Sequence, residues 1–135
     1  MILVMDGQGG QLGRQLIKLL RQALPQADIT AVGTNSTATE SMLKAGADRA
    51  ATGENAAVVN ARKASIITGP LGIVIADALL GEVTPAMALA VGRSEATRVL
   101  IPMNKCETLV AGVSDSPMGE LVADAVNRIV ALCAD

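Results

Sequence analysis

The chain contains no phenylalanine, tyrosine, tryptophan or histidine. Each absence removes a class of function. Without a ring nothing can stack on an adenine or a nicotinamide, so aliphatic side chains must clamp any base. Without histidine a transition-metal site loses its commonest ligand, and general acid–base work falls to Asp, Glu, Lys or Cys. Acidic and basic residues are interspersed, and the formal charge is only −2. There is neither a basic stripe nor an aromatic platform, which argues against nucleic-acid binding. Cys106 and Cys133 lack a C-x-x-C spacing, so free thiols in a reducing compartment are expected. The most apolar window, 66–80, is interrupted by Gly69, Pro70, Gly72 and Asp77, and is too short and broken to span a bilayer. No charged, signal-like pattern precedes it at the start of the chain. The expected location is the cytoplasm, with no membrane partner.

What the chain does have is aliphatic bulk and glycine. Half of its 135 residues are apolar, enough for one domain over 1–135 with a core of Ala, Val, Leu, Ile and Met. The first two dozen residues organise the rest. Five apolar residues lead into Asp6-Gly7-Gln8-Gly9-Gly10-Gln11-Leu12-Gly13, and apolar residues then recur at helical spacing through Leu16, Ile17 and Leu20. This predicts strand, glycine turn and helix. Glycine tolerates the positive φ that such a turn needs, and the helix start offers unpaired N–H groups and a positive dipole end to an anion. Gly7, Gly10 and Gly13 form G-x-x-G-x-x-G. The run continues Arg14-Gln15, so the Lys-Ser/Thr of a nucleotide-hydrolysing P-loop is missing.

Further along, strands are expected near 28–32, 49–52, 65–68, 99–103 and 108–113, the last two forming an antiparallel hairpin at the sheet edge. Helices are expected over 36–44 (capped by Ser36 or Thr37, with Met42 and Leu43 inward), 54–64 (packed through Val58 and Val59), 73–80, 85–96 and from 117 onward. The last presents Leu121, Val122, Ala125, Val126, Ile129 and Val130 on one face. Alternating strands and helices predict a Rossmann-like three-layer α/β/α fold with a mostly parallel sheet of five to six strands. A strand order of 3-2-1-4-5 places the chain reversal, and with it any ligand, beyond the ends of the first and fourth strands.

The candidate binding residues follow from that geometry. They are Asp6 through Gly13; Thr34, Asn35, Ser36 and Thr37 after the second strand; Glu54 and Asn55 after the third; and Gly69 and Pro70 after the fourth. The expected ligand is NADP, NAD or another phosphate-bearing nucleotide. The second-strand end carries neither the acidic residue typical of NAD sites nor the arginine typical of NADP sites. Its small hydroxyl and amide groups suit a phosphate, or equally a helix cap. Glu54 is a candidate acid or base, or a first-turn residue favoured by the helix dipole. Asp6 bonds the turn's own amides or a ribose. Asn104 and Lys105 could line the crevice or simply turn the chain. Cys106 has no activating base and reads as inert. On this reading a bulky residue at Gly10 or Gly13 removes binding and leaves the fold intact. The competing reading is a non-enzymatic sensor or structural subunit that forms a homodimer through its Ala- and Met-rich helices. No reaction is legible in the spacing.

Three resemblances attach to these residues. Gly7-x-x-Gly10-x-Leu12-Gly13-Arg14 resembles the cofactor loop of extended short-chain dehydrogenases/reductases, notably the dTDP-dehydrorhamnose reductases, and implies NAD(P) at Gly7, Gly10 and Gly13. Asp6 stands where that family usually has Thr, and its Tyr–Lys pair cannot form in a chain without tyrosine. Gly33-Thr34, Thr37 and Gly69-Pro70-Leu71-Gly72 are similar to the phosphate loops of methylglyoxal-synthase-like domains, implying a phosphate at Thr34 and Thr37. That family's aspartate is absent, because Ile73-Val74 follow. Over nearly its whole length the chain resembles a bacterial family of short proteins of unknown function. The resemblance rests on Asp6-Gly7-Gln8-Gly9-Gly10, Gly33-Thr34-Asn35, Ala51-Thr52-Gly53-Glu54-Asn55-Ala56, Gly69-Pro70-Leu71-Gly72-Ile73, Gly81-Glu82-Val83-Thr84-Pro85 and Ile101-Pro102-Met103-Asn104, and it implies a Rossmann-like fold.

Overall fold

The computed structural model describes residues 1–103 and 107–134. Five strands, β1 (Ile2–Asp6), β2 (Ile29–Gly33), β3 (Arg49–Thr52), β4 (Ile66–Pro70) and β5 (Thr97–Ile101), form one parallel sheet in the order β3-β2-β1-β4-β5. The helices are α1 (Gln11–Ala23), α2 (Ser36–Lys44), α3 (Glu54–Lys63), α4 (Pro85–Arg93) and α5 (Met118–Cys133), with a 3-10 turn over Leu71–Val74. This is the expected Rossmann-like α/β architecture and strand order.

The alternation of side chains along a strand builds both cores. On β1, Ile2 and Val4 face α1, α2 and α5, and pack with Leu16, Ile17, Met42 and Ile129. Leu3 and Met5 face α3 and α4, and pack with Ala57, Ala61, Ile73, Met87 and Val91. With no aromatic residue to fill space, small residues let the layers approach closely. A Cβ on Gly10 would lie 2.8 Å from the Cα of Ala38, and Gly10 is itself left-handed at φ 72. A Cβ on Gly13 would strike Met42 and the side chain of Asp6. Both glycines therefore serve the packing of α1 on α2.

Several local expectations are corrected. Residues 73–80 are not a helix. The 3-10 turn ends at Val74, and Asp77, Leu79 and Leu80 then take left-handed φ values of 67, 57 and 56, which no right-handed helix contains. Their apolar neighbours act as anchors: Ala78, Leu79 and Val83 are buried. Residues 108–113 are not a strand and form no hairpin. A turn from the N–H of Val113 to the carbonyl of Val110, with Gly112 at φ 82, breaks the extended run, and Leu109 points to solvent. The cap of α2 is Asn35, whose Oδ1 accepts the N–H of Ala38 at 2.9 Å, rather than Ser36 or Thr37. Leu43 is exposed while Met42 is inward. The buried face of α3 is Ala57 and Ala61, with Val58 and Val59 half-buried, and α4 stops at Arg93. Asn104, Lys105 and Cys106 lie outside the described residues.

Because both glycines face α2, Gly13→Leu should destabilise the fold by about 1–3 kcal/mol, the usual cost of overpacking. The urea midpoint reads this directly. An unchanged midpoint would mean that α1 and α2 are not so closely apposed.

Candidate functional site

Parallel strands bring the ends of β1, β2 and β4 to one edge, and two carboxylates dominate it. Asp6 is the last residue of β1, on the side facing α1, and is 4% exposed. One of its oxygens accepts the N–H of Gly7 and the other the N–H of Gly13, both at 2.8 Å. The strand end is thereby tied to the first turn of the helix that follows. Burial pushes the pKa of Asp6 above its ordinary value, the amides of Gly13 and Gly7 pull it back, and the negative charge of Glu82 adds to the rise. Both oxygens being engaged, Asp6 presents nothing to a ribose and is no free base.

The second carboxylate is Glu82, on the loop 75–84. Its Oε1 accepts three hydrogen bonds: from the backbone of Gln8 at 2.8 Å, the hydroxyl of Thr34 at 2.7 Å and the side-chain amide of Asn35 at 2.7 Å. Asn35 also donates to the carbonyl of Gln8 at 2.9 Å, and the N–H of Thr34 reaches the carbonyl of Asp6 at 3.0 Å. Partial burial opposes ionisation of Glu82, but the bonds from Thr34, Gln8 and Asn35 together outweigh it and hold its pKa below the ordinary value. The loop that delivers Glu82 is braced by its own backbone, Asp77 N–H to Val83 O at 2.7 Å and Val83 N–H to Ala78 O at 3.1 Å. Leu79 lies over Gly7, where a Cβ would come within 2.8 Å of its Cδ1. Each left-handed residue without glycine's freedom costs of order 1 kcal/mol or more, so the loop depends on this docking.

The expected site residues divide accordingly. Thr34 and Asn35 meet Gln8 at the crevice, with Gly9 and Gln11 exposed beside them. Gly7, Gly10 and Gly13 are buried by packing, and Leu12 is a core residue of the α1 face. Ser36 and Thr37 are exposed on the first turn of α2. Gly69 and Pro70 are buried at the end of β4, where a Cβ on Gly69 would strike the carbonyl of Met5. Glu54 and Asn55 open α3 beyond the edge strand β3, exposed, and no described contact joins them to the Glu82 cluster. Glu82 itself was missed. The usable signal was Gly81-Glu82 directly before the Thr84-Pro85 cap, which ties a carboxylate to a loop instead of a helix.

At the start of α1, the amides of Gln11 and Leu12 find no acceptor among the described residues, while that of Gly13 is taken by Asp6. The arrangement is suited to holding an anionic oxygen. Among the described residues no group of three or more His, Cys, Asp or Glu could hold a metal ion, and no helix is long and apolar enough to cross a membrane.

The chain belongs to the family described as "Domain of unknown function (DUF3842)", which matches residues 1–134. No curated protein matches it. Among solved structures it is similar to a dodecameric FMN-dependent Ubix-like decarboxylase from Escherichia coli O157:H7. That likeness has 15% identity, covers 98% of this chain and 94% of that one, and has a TM-score of 0.48.

The two carboxylates give opposite pH dependences. Glu82, whose folded pKa is depressed, contributes stability above the ordinary glutamate range that is lost as pH falls through the folded value. Asp6, whose folded pKa is raised, lowers stability as pH rises from the ordinary aspartate value through the folded one. Glu82→Gln should therefore cost about 1–2 kcal/mol at neutral pH, a modest figure because solvent screens the site. In urea unfolding the gap to wild type should close as pH falls below the glutamate range, and a gap independent of pH would contradict the assignment.

Proposed function

We propose that this protein binds a phosphate-bearing nucleotide, NADP or NAD among the candidates, at the crevice where the β1–α1 turn meets the start of α2. The observation that carries this reading is the convergence of Gln8 N–H, Thr34 O–H and Asn35 N–H on a single anionic oxygen. Three donors from two separate connections, at hydrogen-bond distance from one point, form an anion cradle of the kind phosphates occupy. In this structure the carboxylate of Glu82 fills it. A phosphate oxygen takes its place in the complex, and the start of α1 offers the amides of Gln11 and Leu12 to a second phosphate oxygen. Thr34 and Asn35 thus act as ligand groups, and Gly7, Gly10 and Gly13 shape the turn without touching the ligand. The absence of any ring leaves the base to aliphatic contacts. The protein works as one domain over 1–135, in the cytoplasm.

The test is a dye-based thermal-shift panel of NADP, NAD, ATP, GTP, CoA and simple sugar phosphates, run on wild type and on Glu82→Ala. A ligand at about 100 times its dissociation constant adds about 2.7 kcal/mol. Glu82→Ala should melt earlier alone but show the larger ligand-induced rise, because the competing carboxylate has gone. No shift by any of the set, in either protein while both remain folded, would overturn the reading.

A further inference from the structure

The outer face of the α3–α4 layer lies away from the crevice and carries a groove of about 390 Å³. Its floor and walls are apolar, from Val58, Ala86, Leu89 and Ala90, and Arg62, Arg93 and Glu95 flank it. Leu89 is 54% exposed and projects beside this apolar hollow. Neither arginine has an ion-pair partner among the described residues, and neither does Glu54.

The topology then fixes how charge is distributed on this face. Both helices return from the C-terminal edge of a parallel sheet to its N-terminal edge, α3 between β3 and β4 and α4 between β4 and β5, so they run side by side in the same direction. Glu54 sits in the first turn of α3, whereas Arg62 and Lys63 sit in its last turn and Arg93 in the last turn of α4. Glu54 makes one end acidic; at the other, Arg62, Lys63 and Arg93 outnumber Glu95 and leave a net positive charge, with apolar surface between. We propose that its occupant is a second copy of this chain, packed about a two-fold axis perpendicular to α3 and α4. Such an axis makes the two helix layers antiparallel. Arg62 and Arg93 of each protomer then lie over the end that carries Glu54 in the other, and Leu89 enters the opposite groove. A surface with both a projecting leucine and a hollow, and with both charges at opposite ends, is complementary to itself, as an isologous interface requires. A partner of one charge sign would meet repulsion at one end.

Sedimentation equilibrium over a concentration series tests this on the full chain. Wild type should self-associate to a dimer. Leu89→Glu, at an exposed position, should keep the far-UV circular dichroism of the folded chain and weaken the dimer at least about tenfold. Arg62→Glu should weaken it too, and Arg62→Glu combined with Glu54→Arg should restore it. A monomer at every concentration, or a dimer indifferent to Leu89→Glu and to both charge reversals, would overturn the proposal.

Discussion

Asp6 is a buried carboxylate at the one point where β1 must hand the chain to α1. Its two oxygens take the amides of Gly7 and Gly13, so the turn between them has its ends fixed by one side chain. The position of α1 on the sheet follows from that tie, and the contact of α1 with α2 through Gly10 and Gly13 follows from the position of α1. The start of α2 then brings Thr34 and Asn35 beside Gln8. A buried charge is tolerable here because both oxygens are hydrogen-bonded to backbone amides that would otherwise be orphans of the turn and the helix start. The cost remains visible in the upward pull on its pKa.

Glu82 repeats the same physics one layer further out. It supplies an acceptor to the donors that Asp6 leaves over, and it reaches them from a loop whose backbone is strained at Asp77, Leu79 and Leu80. Strain of that kind persists where surrounding packing over-determines it, and it concentrates where segments move or bind. Here the counterweights are the burial of Ala78, Leu79 and Val83 and three hydrogen bonds to one carboxylate oxygen. On the proposed reading, a ligand phosphate competing for those donors would remove one of the two supports of the loop, and binding would be coupled to loop release through a single oxygen position.

Much of the fold was legible in the sequence because periodicity and breakers agree there. Aliphatic runs closed by glycine or proline gave β1, β2 and β4, and the α1 and α5 faces followed from 3.6-residue spacing. Right-handed crossovers between alternating strands and helices narrow the strand order to a few, of which 3-2-1-4-5 is one, and the sequence alone does not select among them. What was not legible depends on tertiary contact. The 73–80 run contains enough aliphatic residues for a helix, but Ala78 and Leu79 are spent on docking a loop over Gly7. The glycines of the first turn read as ligand glycines because the sequence does not show α2 pressed against Gly10 and Gly13. Thr34 and Asn35 were recognisable as small polar groups at a strand end. Glu82 was not, since it stands 74 positions from Gln8 and only the folded chain brings them together.

The most direct measurement is a titration of the isotope-labelled chain with NADP, followed by amide NMR. If a phosphate replaces the carboxylate of Glu82, shifts should concentrate at Gln8, Gln11, Leu12, Thr34 and Asn35, and extend to Leu79, Leu80, Gly81 and Glu82 as the loop loses its anchor. Shifts confined to other faces, or a spectrum unmoved by NADP and by inorganic phosphate at saturating concentration, would mean that Glu82 is a permanent clasp of the fold and that the turn beneath it holds no ligand.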